Sequence, residues 1–166
     1  DKATFERNKE AALSESKYVI SCMNTDKACI FTDTGRLHLI KITDMPFGRF
    51  RDKSIPLDNL GNYDSSGENI IHICNLASIQ DSMMLFATKT GMLKLVKGSE
   101  FDVSKRTVAA TKLADGDSII AICTADNFNQ LVLQTENGYF IRFPMMNIPE
   151  MKKTAIGVRG ISLGSG

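Results

Sequence analysis

Short apolar runs recur along this chain in pairs, and each pair is hinged on a polar turn that ends in glycine. The clearest case is Leu85-Phe-Ala-Thr88-Lys-Thr-Gly91-Met-Leu-Lys94-Leu-Val-Lys97. Strand-forming residues flank a bend where glycine can take a positive φ, and this combination predicts a β-hairpin. The phrase occurs upstream as Cys29-Ile-Phe-Thr32-Asp-Thr-Gly35-Arg-Leu-His-Leu-Ile-Lys41 and downstream as Leu131-Val-Leu-Gln-Thr135-Glu-Asn-Gly138-Tyr-Phe-Ile-Arg142-Phe. The bend glycines lie 56 and then 47 residues apart.

A second phrase fixes the period. Gly67-Glu-Asn-Ile-Ile-His-Ile-Cys74 returns 49 residues later as Gly116-Asp-Ser-Ile-Ile-Ala-Ile-Cys123. Each unit therefore combines an acidic turn, an Ile-Ile-x-Ile strand, a hairpin and a basic tail. All-strand repeats of this length indicate propeller-type blades, not helical solenoids. The expected fold is all-β and propeller-like with about three blades, over residues 18–57, 68–113 and 117–163. Residues 1–17 form a lead-in and 164–166 a tail.

The remaining elements follow from the same patterns. Tyr18–Cys22 has strand character, and a short strand is expected near Ile55–Leu57 inside the turn-rich connection 43–69. Residues 105–113 and 154–163 read as extended crossing strands. Pro144 and Pro149 stop the third hairpin, because proline cannot donate to a ladder. In the lead-in, Phe5, Ala12 and Leu13 predict a short N-terminal helix, with Thr4 as its cap. Its alternative is a lead-in that wraps elsewhere.

Composition adds little. The chain has 166 residues, a net charge of +1 and a hydrophobic fraction of 43%, enough for one core. No apolar run approaches the roughly 18 residues that span a bilayer, and the polar start lacks a signal-peptide core. The start at Asp1, not methionine, leads us to expect a piece of a larger protein. Cys22, Cys29, Cys74 and Cys123 form no C-x-x-C pair. They read as buried reduced thiols of a cytosolic protein, with a disulfide or a metal role as the alternatives.

Charge distribution is more informative than its total. Residues 36–53 carry net +3, residues 54–88 net −4, residues 89–112 net +4, residues 113–141 net −4 and residues 142–166 net +3. If the units stack with one rotation per repeat, one rim becomes a basic stripe and another side acidic. A continuous basic stripe is what a polyanion backbone needs. The competing explanation is that lysines merely keep edge strands from pairing with neighbours.

Candidate catalytic chemistry is sparse. His38 and His72 sit in strand patterns of different units, and no Ser or Cys stands in a nucleophile context. Asp115-Gly-Asp117 lacks an EF-hand continuation and reads as an acidic turn. No metal or cofactor is expected, and the piece is not expected to be an enzyme.

Several phrases resemble blades of the C-terminal domain of DNA gyrase A, or of its topoisomerase IV counterpart. They are Phe31-Thr-Asp-Thr-Gly-Arg-Leu-His-Leu-Ile-Lys-Ile-Thr-Asp-Met-Pro46, Phe86-Ala-Thr-Lys-Thr-Gly-Met-Leu-Lys with Gly98-Ser-Glu-Phe101, and Lys112-Leu-Ala-Asp-Gly-Asp-Ser-Ile-Ile. The most distinctive is Asn137-Gly-Tyr-Phe-Ile-Arg-Phe-Pro followed by Lys153-Thr-Ala-Ile-Gly-Val-Arg-Gly-Ile161. The resemblance runs from about Tyr18 to Leu163. It implies a β-pinwheel, a propeller-like disc whose blades exchange strands, which binds and bends double-stranded DNA around a basic rim. The rim residues it implies are Arg36, Lys41, Arg49, Arg51, Lys53, Lys94, Lys97, Lys105, Arg106, Arg142, Lys152, Lys153 and Arg159. The parent it implies is an ATP-dependent type IIA topoisomerase, with its catalytic tyrosine upstream of this chain. Implied partners are DNA, the ATPase B subunit, and the remainder of the topoisomerase A subunit, in the bacterial cytoplasm at the nucleoid, with no membrane.

Two departures limit the analogy. The Gln-Arg-Arg-Gly-Gly-Lys-Gly type box of gyrase is absent from this chain, and the family's whole domains have about five or six blades. Phe47 and Phe50 lie among the basic residues of the first crossing and read as loop anchors. Gly157 and Gly160, around Arg159, admit a close phosphate or a strand crossing that needs positive φ. The alternative function is a propeller-like protein-interaction module. It would bind through exposed apolar patches and tolerate salt, and it would survive charge reversal at Arg49, Arg51 and Lys53.

Overall fold

The structure, a computed structural model, describes residues 3, 6, 9, 13–49 and 52–161. Ten strands account for most of the regular structure among the described residues. The three hairpins form as the glycine turns demand: β1 (Lys27–Thr32) with β2 (Arg36–Lys41), β4 (Met83–Thr88) with β5 (Met92–Lys97), and β8 (Gln130–Gln134) with β9 (Phe140–Pro144). The bend glycines Gly35, Gly91 and Gly138 have φ between 79° and 84°, the left-handed region that an L side chain resists. The two Ile-Ile-x-Ile phrases become β3 (Ile70–Asn75) and β7 (Ile119–Thr124). The crossing segments become the short β6 (Thr107–Ala109) and β10 (Val158–Arg159).

Pairing does not follow chain order. The first sheet runs β3-β1-β2-β6 and the second β10-β5-β4-β7, while β8 and β9 make a two-stranded third. The strand that follows each later hairpin thus returns to the sheet before it. Equivalent bonds close both crossings, Ala110 N to Gly35 O and Gly160 N to Gly91 O, each 2.8 Å. These sheets are all antiparallel among the named strands and do not close into a barrel. This is the strand-exchanging, propeller-like architecture expected.

Period-two alternation sorts each strand into two faces. From the first sheet, Cys29, Phe31, Leu37 and Leu39 meet Met84, Phe86 and Val96 of the second. Phe31, Phe86 and Phe101 pack with ring centroids 5.2–6.0 Å apart, two of the three contacts near edge-to-face. The opposite face of the second sheet, Leu85, Ala87 and Leu93, meets Leu131, Leu133 and Phe143 of the third. The back of the first sheet is covered by the first connection, through Met45, Leu57 and Leu60. The strands β3 and β7 pack against each other, so adjacent sheets converge along these edges. In the first two sheets, β6 and β10 form the opposite edges.

Several expectations need correction. Tyr18–Cys22 joins no ladder. Side chains hold it alongside β3, with the Tyr18 hydroxyl donating to Ile71 O at 3.1 Å and Asn75 Nδ2 to Ser21 O at 3.3 Å. Ile55–Leu57 is not a strand, since the chain tightens into a 3-10 turn at Leu57–Asn59. One helical turn, Leu76–Ile79, was not expected; the Asn75 side chain caps it by accepting from Ala77 N at 2.9 Å. In the lead-in, Ala3, Glu6, Lys9 and residues 13–15 are helical. Thr4, Phe5 and Ala12 of the expected stripe, and the tail 164–166, lie outside the described residues. Cys29 and Cys74 are buried opposite each other across β1 and β3, whereas Cys22 is exposed.

Candidate nucleic-acid interface

The acidic turns work inside the fold. Asp117 accepts from Thr90 N at 3.0 Å and from the Thr90 hydroxyl at 2.6 Å, clasping the second hairpin's bend. Glu68, its repeat equivalent, is buried; it accepts from the Thr34 hydroxyl at 3.2 Å and meets His38 Nε2 at 2.8 Å. Asp126 accepts from Met83 N at 3.0 Å. Three acids of the net-negative blocks therefore stabilise bends and a strand start, while Asp58, Asp64, Asp81, Asp115 and Glu136 are exposed. Burial opposes ionisation of Asp117, but hydrogen bonds from Thr88 and Thr90 outweigh it and hold its carboxyl below the ordinary aspartate value. Its stabilisation is present above the unfolded pKa of about 4 and is lost as pH falls through the lower folded value. Asp117→Ala should cost about 1–2 kcal/mol at pH 7. The difference from wild type should shrink on acidification, as urea midpoints across pH will check.

With those acids engaged in turns, the exposed edges carry the basic residues. Arg36 opens β2 directly opposite Ala109 of β6, and Arg159 lies on β10 opposite Met92 of β5. These two pairs are repeat equivalents, so each sheet presents one arginine at the same crossing, from opposite strands. Lys105 and Arg106 precede β6, and Lys152 and Lys153 precede β10 by a few residues. Lys89 and Lys112, outside the expected set, are exposed at the second bend and just beyond β6. Their signal is that they are bases inside a net-positive block.

The expected rim residues divide by what already holds them. Arg36, Lys41, Lys53, Lys105, Arg142 and Arg159 are exposed and make no ion pair among the described residues. Four others are engaged: Arg49 with Asp52 at 3.9 Å, Lys97 with Glu150 at 3.2 Å, Arg106 with Asp44 at 3.4 Å and Lys152 with Glu100 at 3.3 Å. Lys153 is half-buried, its Nζ donating to Glu100 O at 2.8 Å. Arg51 lies outside the described residues. Arg142 stands apart from the crossing edges, on β9 opposite Val132.

Lys94 is a correction. At 1% exposure it cannot meet a phosphate; its ammonium points inward to three main-chain carbonyls and lies over the Phe86 ring. Burial pushes its pKa down to about 8, with Glu100 acting in the opposite sense. Two further expectations change. Phe47 is fully exposed and anchors nothing, and Phe50 lies outside the described residues. Gly157, at φ 112°, lies so close to β5 that a Cβ would stand 2.7 Å from Leu93 O. A strand crossing therefore accounts for this glycine without a phosphate.

A family model described as "DNA gyrase C-terminal domain, beta-propeller" matches residues 82–122 and 129–166. The gyrase A protein of Chlamydia pneumoniae is 33% identical over 150 residues, which is 89% of this chain and 18% of that protein. This chain thus spans less than a fifth of that relative's length. The crystal structure of the C-terminal domain of DNA topoisomerase IV superposes with a TM-score of 0.81 at 22% identity, covering 96% of this chain and 53% of that one. The E. coli ParC C-terminal domain gives a TM-score of 0.75 at 18% identity, over 90% of this chain and 59% of that one.

Proposed function

We propose that the chain, which is similar to DNA gyrase A along most of its length and shares the fold of the topoisomerase IV C-terminal domain, binds and bends double-stranded DNA along the β6 and β10 edges. In this reading it is an arc of a type IIA topoisomerase A subunit that presents the duplex to the strand-passage core. Its protein partners are the ATPase B subunit, and the remainder of the topoisomerase A subunit, in the bacterial cytoplasm at the nucleoid. The observation that carries the reading is the repeated placement of Arg36 and Arg159 at equivalent crossings, flanked by Lys105, Lys112 and Lys152.

The mechanism is electrostatic. Each rim cation that neutralises a phosphate releases condensed counterions, which gives affinity without base readout. Bending a 20–30 bp site costs about 1–6 kcal/mol, so several contacts are needed to offset it. The test is binding of the chain to a linear duplex of roughly 40 bp across a salt series, with both DNA ends labelled for energy transfer. A log–log slope of about −3 to −5 is expected, with the ends drawn together. Salt-insensitive binding would favour the protein-interaction reading instead. That reading has one observation of its own, the exposed apolar residues Val132, Tyr139 and Phe140 on the third sheet.

A further inference from the structure

We infer that Lys94 is the positioning residue of the second sheet's basic edge: its buried ammonium gathers the crossing segment and so aims Lys152 and Arg159 outward. The inference rests on the DNA-binding reading above and assigns one residue's part in it.

The crossing segment leaves the ladder at this point. Leu95 N donates to Pro149 O at 3.0 Å and Met151 N to Leu95 O at 2.8 Å, and strand pairing resumes only at Val158. Between these points three carbonyls turn inward: Lys152 O, Lys153 O and Ala155 O lie 3.3, 3.0 and 2.7 Å from Lys94 Nζ. An ammonium carries three N–H donors and no acceptor, so donors and acceptors match one for one. Lys152 O also accepts from Ala155 N at 3.0 Å, so Ala155 O is the inward carbonyl that depends most on this donor. Glu100 holds the same segment from the other side, accepting from Lys153 N at 3.0 Å and pairing with Lys152 Nζ. Lys112 N adds a bond to Lys153 O at 3.2 Å.

The first sheet uses the same position in the same way. His38 is the third residue after Gly35, as Lys94 is the third after Gly91. It is buried, and its Nδ1 meets the Thr107 hydroxyl of β6 at 3.1 Å while Glu68 holds its Nε2. Two hairpins thus use equivalent buried positions with different chemistry: His38 holds β6 itself, and Lys94 holds the segment that leads into β10.

The test is a double-mutant cycle on the 166-residue chain: wild type, Lys94→Met, Lys152→Ala with Arg159→Ala, and the three changes combined. Affinity for the roughly 40 bp duplex and its salt slope are read, with urea midpoints as the fold check. Removing Lys152, which is paired with Glu100, together with the unpaired Arg159 should weaken binding by about tenfold and flatten the slope by about one to two. Lys94→Met should weaken binding several-fold in the wild-type background and less than twofold once those two cations are gone. A purely structural role predicts the same fold-loss in both backgrounds, and that result overturns the inference. If wild type binds no DNA, the functional reading itself falls. If it binds but ignores Lys152 and Arg159, the DNA lies elsewhere, and Lys94 does not position it. Should Lys94→Met fail to fold, Lys94→Gln, which keeps N–H donors, takes its place in the cycle with the same criteria.

Discussion

Replacing Gly98 by alanine is expected to destabilise the chain by about 3 kcal/mol or more, the largest loss for a single added methyl group in this fold. Gly98 follows β5 and is buried against the helical turn Leu76–Ile79, its N–H donating to Ser82 O at 2.8 Å. A Cβ placed there would stand 2.6 Å from the Ile79 carbonyl carbon and closer still to its oxygen. Both atoms are backbone, so no side chain can swing away. The Ile79 carbonyl is also fixed by Ser82 N at 3.0 Å, and Ile79 itself is buried in the central core. Relief would require the helical turn to move away from the turn Gly98–Phe101, opening the core that contains Phe86 and Phe101. Gly138→Ala is the control. Its φ is 82° but nothing lies within 4 Å of the added methyl, so only the backbone strain of about 1–2 kcal/mol applies. Urea midpoints of the two variants separate the effects, and equal losses would mean that the Gly98 contact relaxes at little cost.

The hairpins were legible because their signal is local. A Thr-x-Thr-Gly or Thr-x-Asn-Gly bend between apolar runs specifies both the turn and its register. The exchange of β6 and β10 into preceding sheets could not be read from those patterns alone, since Arg36 and Ala109 are partners across more than 70 positions. Family resemblance supplied that connectivity. Tyr18–Cys22 shows the converse failure: the segment has strand composition and lies beside the edge strand β3, yet it is tied there by side chains and not by a ladder. Lys94 had a signal that went unused. In β5, Met92, Lys94 and Val96 share one face, and Val96 is completely buried. Alternation therefore placed the lysine inward, as it places His38 inward between Arg36 and Ile40. Net charge by block located the basic edges but could not say which cations were already committed to Asp44, Asp52, Glu100 or Glu150.

That division of the cations predicts the largest functional effect. Changing Arg36, Lys105 and Arg159 together to alanine should weaken duplex binding by about 30- to 100-fold at 0.1 M salt and flatten the log–log salt slope by about three. Changing the paired residues Arg49 and Lys97 should cost only a few-fold, with a slope change below one per residue. Exposed ion pairs are individually weak, about 0–1 kcal/mol, so a phosphate could draw either residue away from its partner. The partner carboxylate would nevertheless remain, Asp52 beside Arg49 and Glu150 beside Lys97, and would repel the incoming backbone. A cation that leaves a nearby anion behind adds less net field than one that stands alone. The unpaired set also has the better geometry: two arginines at equivalent crossings of successive sheets, with Lys105 leading into the first. Near-equal losses per residue in the two sets would show that total positive charge governs binding, and that the crossing edges have no special place in it.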